Sequence, residues 1–345
     1  MHILLALLVI VAGNSLALRG LRRLRRGRQA ALSVLVSVDA VLAVLLVLEL
    51  GMSLFFAQSD GFNITLASRN WFARYWKPVN SLGYRDAAVT PRAPGEKIVL
   101  VLGDSFAAGH GIERVEDRFG NRLGRDLGPG WRVVNVAKNG WDTPDEIEAL
   151  RTYPVKPDLV VLSYFINDIG QAAARHGLTL GMPVGAPEFF GGKYLVNHFA
   201  LANFAYWRLV RVGLKDASAS FWHKLVQAYA DPTIWAAHAA EIESIVTWCR
   251  DNRVRLVALV IPLLLDVRGS APITGKVATF LRDQGVTVVD LTGPLAGRKP
   301  EDLVVNAVDG HANTALQVEM ARLLRPVVLD AFQHEPATVP GAAGN

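Results

Sequence analysis

Residues 97–106, KIVLVLGDSF, constrain the chain more than any other stretch. Residues 98–102 form an unbroken apolar run, without the alternation of a strand that keeps one face in water. Such a run suits a parallel strand covered by helices on both faces. It stops at Gly103, and a Gly-Asp-Ser turn follows at its carboxyl end. That edge is where open α/β sheets bind ligands, because loops and helix amino termini converge there. Taken alone the turn proves little, since Asp and Ser suit any strand-to-helix turn.

Four further runs read as strands, at 132–137, 158–165, 255–261 and 286–291. Helical spacing predicts helices over 114–127, from about Pro144 with Asp142 or Thr143 as its cap, from Asp231 and Pro232 to about Arg250, and over 273–283. The stripe Trp235, His238, Ile242, Ile245 and Cys249 makes the lone cysteine a core thiol. Alternating strands and helices predict an α/β fold with a doubly wound parallel sheet.

Two apolar segments, 1–18 and 30–57, precede this domain, and each reaches the roughly 18 to 20 residues that cross a bilayer as a helix. Between them lie six arginines, at 19, 22, 23, 25, 26 and 28. Short arginine-rich loops stay in the cytoplasm, so residues 1–57 are expected to form a transmembrane hairpin with everything after about Gln58 extracytoplasmic. A cleaved signal peptide fits less well, because the positive charge follows the apolar run instead of preceding it. The formal net charge is +5, and six positive charges sit in that loop, so the rest of the chain is about neutral. The basic balance therefore reports topology, and no nucleic-acid partner is expected. Asp39 and Glu49 inside the second apolar segment are expected near helix ends or against a partner helix.

Residues 58–96 read as a juxtamembrane connector, rich in aromatics and carrying N-S-L-G-Y-R-D at 80–86. The domain proper is expected over 97–333, interrupted at 171–230 by an aromatic insertion that includes Phe189, Phe190, Phe204, Trp207, Phe221, Trp222 and Tyr229. An insertion leaving the end of the third strand suits a lid or substrate-binding element, or a small core of its own. Residues 334–345 have the composition of a flexible tail.

Four loops at predicted strand ends carry polar groups: G-D-S at 103–105, N-G at 139–140, N-D at 167–168 and D-G-H at 309–311. Acyl transfer through a serine needs a hydroxyl, an imidazole to take its proton, a carboxylate to orient the imidazole, and donors for the oxyanion. Ser105 is the expected nucleophile, His311 the base and Asp309 its orienting carboxylate. The backbone N–H groups of Ser105 and Gly140 and the Asn167 amide are the expected oxyanion hole. His311 is expected to open an amphipathic helix carrying Leu316, Met320, Leu323 and Leu324. His110 reads as a residue of a Gly-rich loop. No metal-ligand spacing and no phosphate-binding glycine loop is present, so neither metal nor cofactor is expected.

The order G-D-S-F, loop glycine, N-D, then D-x-H followed by Asn resembles the SGNH or GDSL hydrolase superfamily over about residues 80–332. The N-S-L-G-Y-R-D segment is similar to that of members from bacterial envelopes. The resemblance implies a three-layer α/β/α flavodoxin-like sandwich and a serine esterase or acyltransferase, with the same roles for Ser105, Gly140, Asn167 and His311. Two departures stand out: Phe165 replaces a glycine two before the asparagine, and Asp309 lies two residues before His311, not three.

The expected protein is therefore an extracytoplasmic serine hydrolase held in the inner membrane by two helices, with its catalytic domain in the periplasm. Its expected substrate is an acyl ester of an envelope lipid or glycan. An O-acyltransferase working with a polytopic membrane partner uses the same residues, and a non-catalytic envelope scaffold is the third alternative.

Overall fold

A computed structural model of the chain describes residues 2–22, 27–181 and 191–333. Arg23, Arg25 and Arg26 of the basic loop, Phe189 and Phe190 of the insertion, and the tail at 334–345 lie outside them. The chain opens with α1 (His2–Leu21), α2 (Arg28–Phe55) and α3 (Leu66–Tyr75). Then come β1 (Lys97–Gly103), α4 (Ser105–Ala108), α5 (Phe119–Leu127), β2 (Trp131–Ala137), α6 (Thr143–Thr152), β3 (Leu159–Phe165) and α7 (Gly170–Arg175). α8 (Gly192–His198), α9 (Ala200–Ala230) and α10 (Pro232–Asp251) lead to β4 (Arg255–Ile261), α11 (Val267–Asp283), β5 (Thr287–Asp290) and α12 (Thr292–Leu295). A hairpin of β6 (Val304–Asn306) and β7 (Asp309–Ala312) precedes the last helix, α13 (Thr314–Ala331).

Five strands form a parallel sheet in the order β2-β1-β3-β4-β5, so β1 is an interior strand between β2 and β3, in keeping with its apolar run. Alternate residues of its buried run face opposite sides. Leu100 and Leu102 join Ile147 and Leu150 of α6, Ile242 and Ile245 of α10 and Val277 and Leu281 of α11 in one core. Val99 and Val101 join Phe119 and Leu123 of α5 and Leu316, Met320 and Leu324 of α13 in the other. The result is a three-layer α/β/α arrangement.

Caps set the helix starts. Asp231 accepts from the Thr233 and Ile234 N–H groups, with Pro232 in the first turn, and Asn313 accepts from Leu316 N. The helix expected over 114–127 is broken at Arg118, whose extended backbone separates a short turn at Val115–Asp117 from α5. His311 does not open a helix: it lies on β7, and α13 starts only after the Asn313 cap.

The chain divides into two compact units, each described by itself. One holds residues 1–58, 63–71 and 183–215; the other holds 59–62, 72–182 and 216–345. The expected boundary at residue 97 is thus too late, because most of the connector belongs to the α/β unit. In the first unit, α2 is long and apolar enough to cross a membrane. Asp39 of α2 accepts from Asn14 Nδ2 of α1 at 2.7 Å. Glu49 accepts from the N–H groups of Ala200 and Leu201, at 2.7 and 2.8 Å, and so caps the start of α9. Phe204 packs edge-on against Phe56.

The aromatic insertion is accordingly not one lid-like module. Residues 191–215 lie with the apolar helices, while Ala172, Ala173 and Leu180 before them and Leu225, Ala228 and Tyr229 after them belong to the core of the α/β unit. There the Tyr229 hydroxyl donates to the Ile166 carbonyl at 2.9 Å.

Candidate active site

The turn after β1 is forced by close packing. A Cβ at Gly103 would lie 2.9 Å from both Cβ and O of Ser163 on β3, so only glycine lets the two strands end together. Asp104 caps α4 by accepting from Phe106 N at 2.9 Å, and the cap sets Ser105 at the first helical position. Ser105 is 8% exposed, at the carboxyl edge of the sheet.

The β6–β7 hairpin brings the distant part of the site to it. Residues two apart on a strand point the same way, so a D-x-H spacing on β7 delivers Asp309 and His311 together. His311 Nδ1 lies 2.6 Å from Asp309 Oδ1, and His311 Nε2 lies 2.8 Å from Ser105 Oγ. An ionised carboxylate only accepts, so Nδ1 carries the imidazole proton and Nε2 is left to accept from the serine hydroxyl. Asp104 Oδ2 stands 3.2 Å from the same hydroxyl and is the longer alternative acceptor.

Burial by itself would raise the Asp309 carboxyl. The His311 hydrogen bond and charge, His110 and a hydrogen bond from Ser59 outweigh it and hold the group far below the usual carboxylate range. Both oxygens are engaged: Oδ1 by the His311 ring and backbone N–H, Oδ2 by the Ser59 hydroxyl.

His110, expected as an ordinary loop residue, is buried beside this relay. Its ring stacks on that of His311, with centroids 4.3 Å apart and planes 13° from parallel. Nε2 donates to the Asp60 carbonyl at 2.7 Å, and burial, followed by repulsion from His311, lowers its pKa to about 4. It is a neutral donor near pH 7. His110, Asp309 and His311 offer ligand atoms within 4.8 Å of one another. Imidazole lone pairs lie in the ring plane, however, and two stacked parallel rings cannot aim theirs at one ion, so the group fits a metal poorly.

The N-S-L-G-Y-R-D segment holds the loop that carries His110. Asn80 Oδ1 accepts from Leu82 N and Tyr84 N and folds the segment back on itself. The Arg85 guanidinium then donates to the carbonyls of Gly109, Ile112 and Glu113, at 2.7, 2.7 and 3.1 Å. Asp86 pairs with the buried Arg118 at 2.9 Å and also accepts from Asn135 N on β2. A planar guanidinium suits this work because several fixed donors meet several carbonyls at once.

Gly140 and Asn167 sit on the loops after β2 and β3, the two strands that flank β1. Gly103 is in register with Ala137 and with Ser163, so both loops leave the sheet next to the Ser105 turn. Gly140 has φ +76°, a conformation that favours glycine. Phe165 packs against Phe106 with centroids 4.3 Å apart, and Phe106 lies 5.1 Å from the His311 ring. The residue that departs from the usual glycine thus adds to an apolar wall beside His311.

A second group of carboxyls adjoins Asp104, and of these the sequence did not single out Glu146. Glu146 and Asp168 are fully buried, and burial raises both well above the ordinary range, with mutual repulsion and repulsion from Asp104 and Asp142 adding to it. Both Glu146 oxygens and Asp168 Oδ1 make no hydrogen bond among the described residues. Asp104 is raised by burial, and burial brings Asp142 to about 7.

The profile of the GDSL-like lipase/acylhydrolase family matches residues 101–317. The chain belongs to that family. The matched span of this GDSL-like protein contains Ser105, Gly140, Asn167, Asp309 and His311; the segment around Ser59 lies outside it. Solved structures similar to it include a carbohydrate acetylesterase family member from Sinorhizobium meliloti, at 18% identity and TM-score 0.40 over 69% of this chain and all of that one. A putative arylesterase from Agrobacterium tumefaciens is 17% identical, at TM-score 0.39 over 68% of this chain and 99% of that one. A lipase/acylhydrolase from Enterococcus faecalis is 13% identical, at TM-score 0.40 over 70% and 100%. No curated protein matches the GDSL-like chain by sequence.

Proposed function

We propose that this GDSL-like protein is a membrane-anchored serine ester hydrolase that works through an acyl-Ser105 intermediate on an ester of an envelope lipid or glycan. The observation that carries the proposal is the unbroken relay from Asp309 through His311 to the Ser105 hydroxyl. His311 Nε2 takes the hydroxyl proton as Oγ attacks the ester carbonyl, and Asp309 stabilises the imidazolium that forms. The N–H groups of Ser105 and Gly140 and the Asn167 amide receive the oxyanion. His311 then gives its proton to the leaving alcohol; water, deprotonated by the same ring, releases the acid.

Anchorage rests on α2 and on the basic residues before it, with α1 as the second arm of a hairpin whose loop faces the cytoplasm. Both carboxylates in α2 are engaged, Asp39 by Asn14 and Glu49 by two N–H groups of α9, so neither enters the apolar phase unpaired. The catalytic unit then lies outside the cytoplasm, beside envelope lipids and glycans.

Fluorophosphonate labelling of the full-length protein in detergent tests the chemistry. Wild type is expected to label, and Ser105→Ala and His311→Ala to lose labelling. Labelling that survives in Ser105→Ala would remove the proposed nucleophile. An export-dependent reporter fused after Asn345 is expected to be active; activity only as a cytoplasmic fusion would reverse the topology.

A further inference from the structure

The relay does not end at Asp309. Its Oδ2 receives the hydroxyl proton of Ser59, a residue 2% exposed and only four positions beyond the end of α2. We infer that residues 59–61 form a positioning clip, in which Ser59 fixes the Asp309 carboxylate and, through it, His311. The inference rests on the proposed serine chemistry and adds a residue outside the span that the family profile matches.

Geometry supplies the reason such a clip is needed. The torsion that turns a carboxylate plane is broad, so one hydrogen bond does not set its orientation. In Asp309 the ring and backbone of His311 engage one oxygen only. The Ser59 hydroxyl engages the other and thereby holds the plane.

The segment is itself fastened to the hairpin that bears the relay. Asn306 Nδ2 donates to the Ser59 carbonyl at 3.1 Å, and Gly61 N donates to the Val308 carbonyl at 3.0 Å. His110 Nε2 donates to the Asp60 carbonyl, which directs its proton away from Asp309 Oδ2, 3.7 Å distant. Room for this arrangement depends on Gly111, with φ +79°, where a Cβ would come within 2.8 Å of Asp309 Oδ2. Ser59 to Phe62 accordingly belong to the compact α/β unit, although the residues before and after them do not.

The consequence is that the first residues after the apolar helix complete the catalytic relay. A serine two positions past a hydrophobic stretch has no such meaning in sequence. It acquires one because the β6–β7 hairpin brings Asp309 to it.

The test uses full-length protein in detergent, with p-nitrophenyl acetate as probe ester and fluorophosphonate labelling to count competent sites. Ser59→Ala and Ser59→Cys, the latter filling the same space with a weak donor, are expected to lower kcat about tenfold, as loss of one hydrogen bond to a charged group implies. KM should hold within about twofold, because the lost interaction acts on the transition state and not on ground-state binding. Ser59→Thr, which keeps the hydroxyl, is expected to recover most of the rate.

Wild-type turnover in Ser59→Ala or Ser59→Cys, or a folded Ser59→Thr as slow as these two, would overturn the clip while leaving the hydrolase in place. If Ser59→Ala does not fold, Ser59→Cys decides. Absence of Ser105-dependent labelling in wild type would overturn the proposed function and the clip with it.

Discussion

Two groups of buried carboxyls adjoin the Ser105 turn, and the two behave oppositely. Asp309, on the hairpin side, is almost fully buried and yet has its pKa pushed far down. Glu146 and Asp168, on the α6 and β3 side, are equally buried and are pushed well up. Burial is common to both groups, so it does not explain the difference. The supply of donors does: Asp309 has donors on both oxygens, whereas both Glu146 oxygens and one of Asp168 make no hydrogen bond among the described residues. A carboxylate that receives several hydrogen bonds keeps its charge in a low-dielectric site, and one without them takes up a proton instead. The fold thus holds one ionised carboxylate for the relay and neutralises others a short distance away.

The sharpest way to break the comparison is the same substitution on both sides. Asp309→Asn removes the charge that fixes the His311 tautomer and is expected to lower kcat by about 10⁴. Asp104→Asn keeps an equally good helix cap and replaces a carboxyl already raised by burial, so turnover should stay within about tenfold of wild type. Equal losses in the two variants, measured with p-nitrophenyl acetate, would mean that the ionised carboxylate acts on the Asp104 side as well. The Ser59→Ala effect falls between these two, because it removes a donor and leaves the Asp309 charge in place.

Smaller effects belong to stability. Where a folded carboxyl titrates above its unfolded value, near 4, the folded state holds the extra proton over the interval between them. Stability is then full at low pH and falls as pH rises. Asp142, at about 7, puts this decline between about pH 4 and 7, and Glu146 and Asp168, also raised, add to it. The thermal midpoint of wild type is expected to drop across that interval. Glu146→Gln, a stand-in for the protonated acid, should flatten the drop and raise the midpoint at pH 8 by about 3 °C, the order expected from relieving a buried unpaired group. A midpoint at pH 8 lower than that of wild type would show Glu146 to be ionised and paired.

How much of this was legible in advance depended on the range of the interactions. The apolar run at 98–102 determined an interior parallel strand, because an unalternating run can be buried only between two helical layers. Caps and periodicity placed α6, α10 and parts of α5, α11 and α13 for the same local reason. The exceptions have local causes too: Arg118 adopts an extended backbone and breaks one helix, and the Asn313 cap moves His311 off another.

Residue types and spacing led to Ser105, Asp309 and His311 as a group, and these three do meet through hydrogen bonds. Tertiary structure decided the rest. The D-x-H spacing works because β7 is a strand, on which residues two apart share a face. The insertion proved divided between two units because Glu49 and Phe56 hold its middle, at Ala200, Leu201 and Phe204, while the sheet core holds its two ends. His110, Ser59 and Glu146 carry no local signal. A histidine, a serine and a glutamate acquire roles only through partners tens to hundreds of positions away, and whether those partners arrive, as for Asp309, or fail to, as for Glu146, is settled by packing.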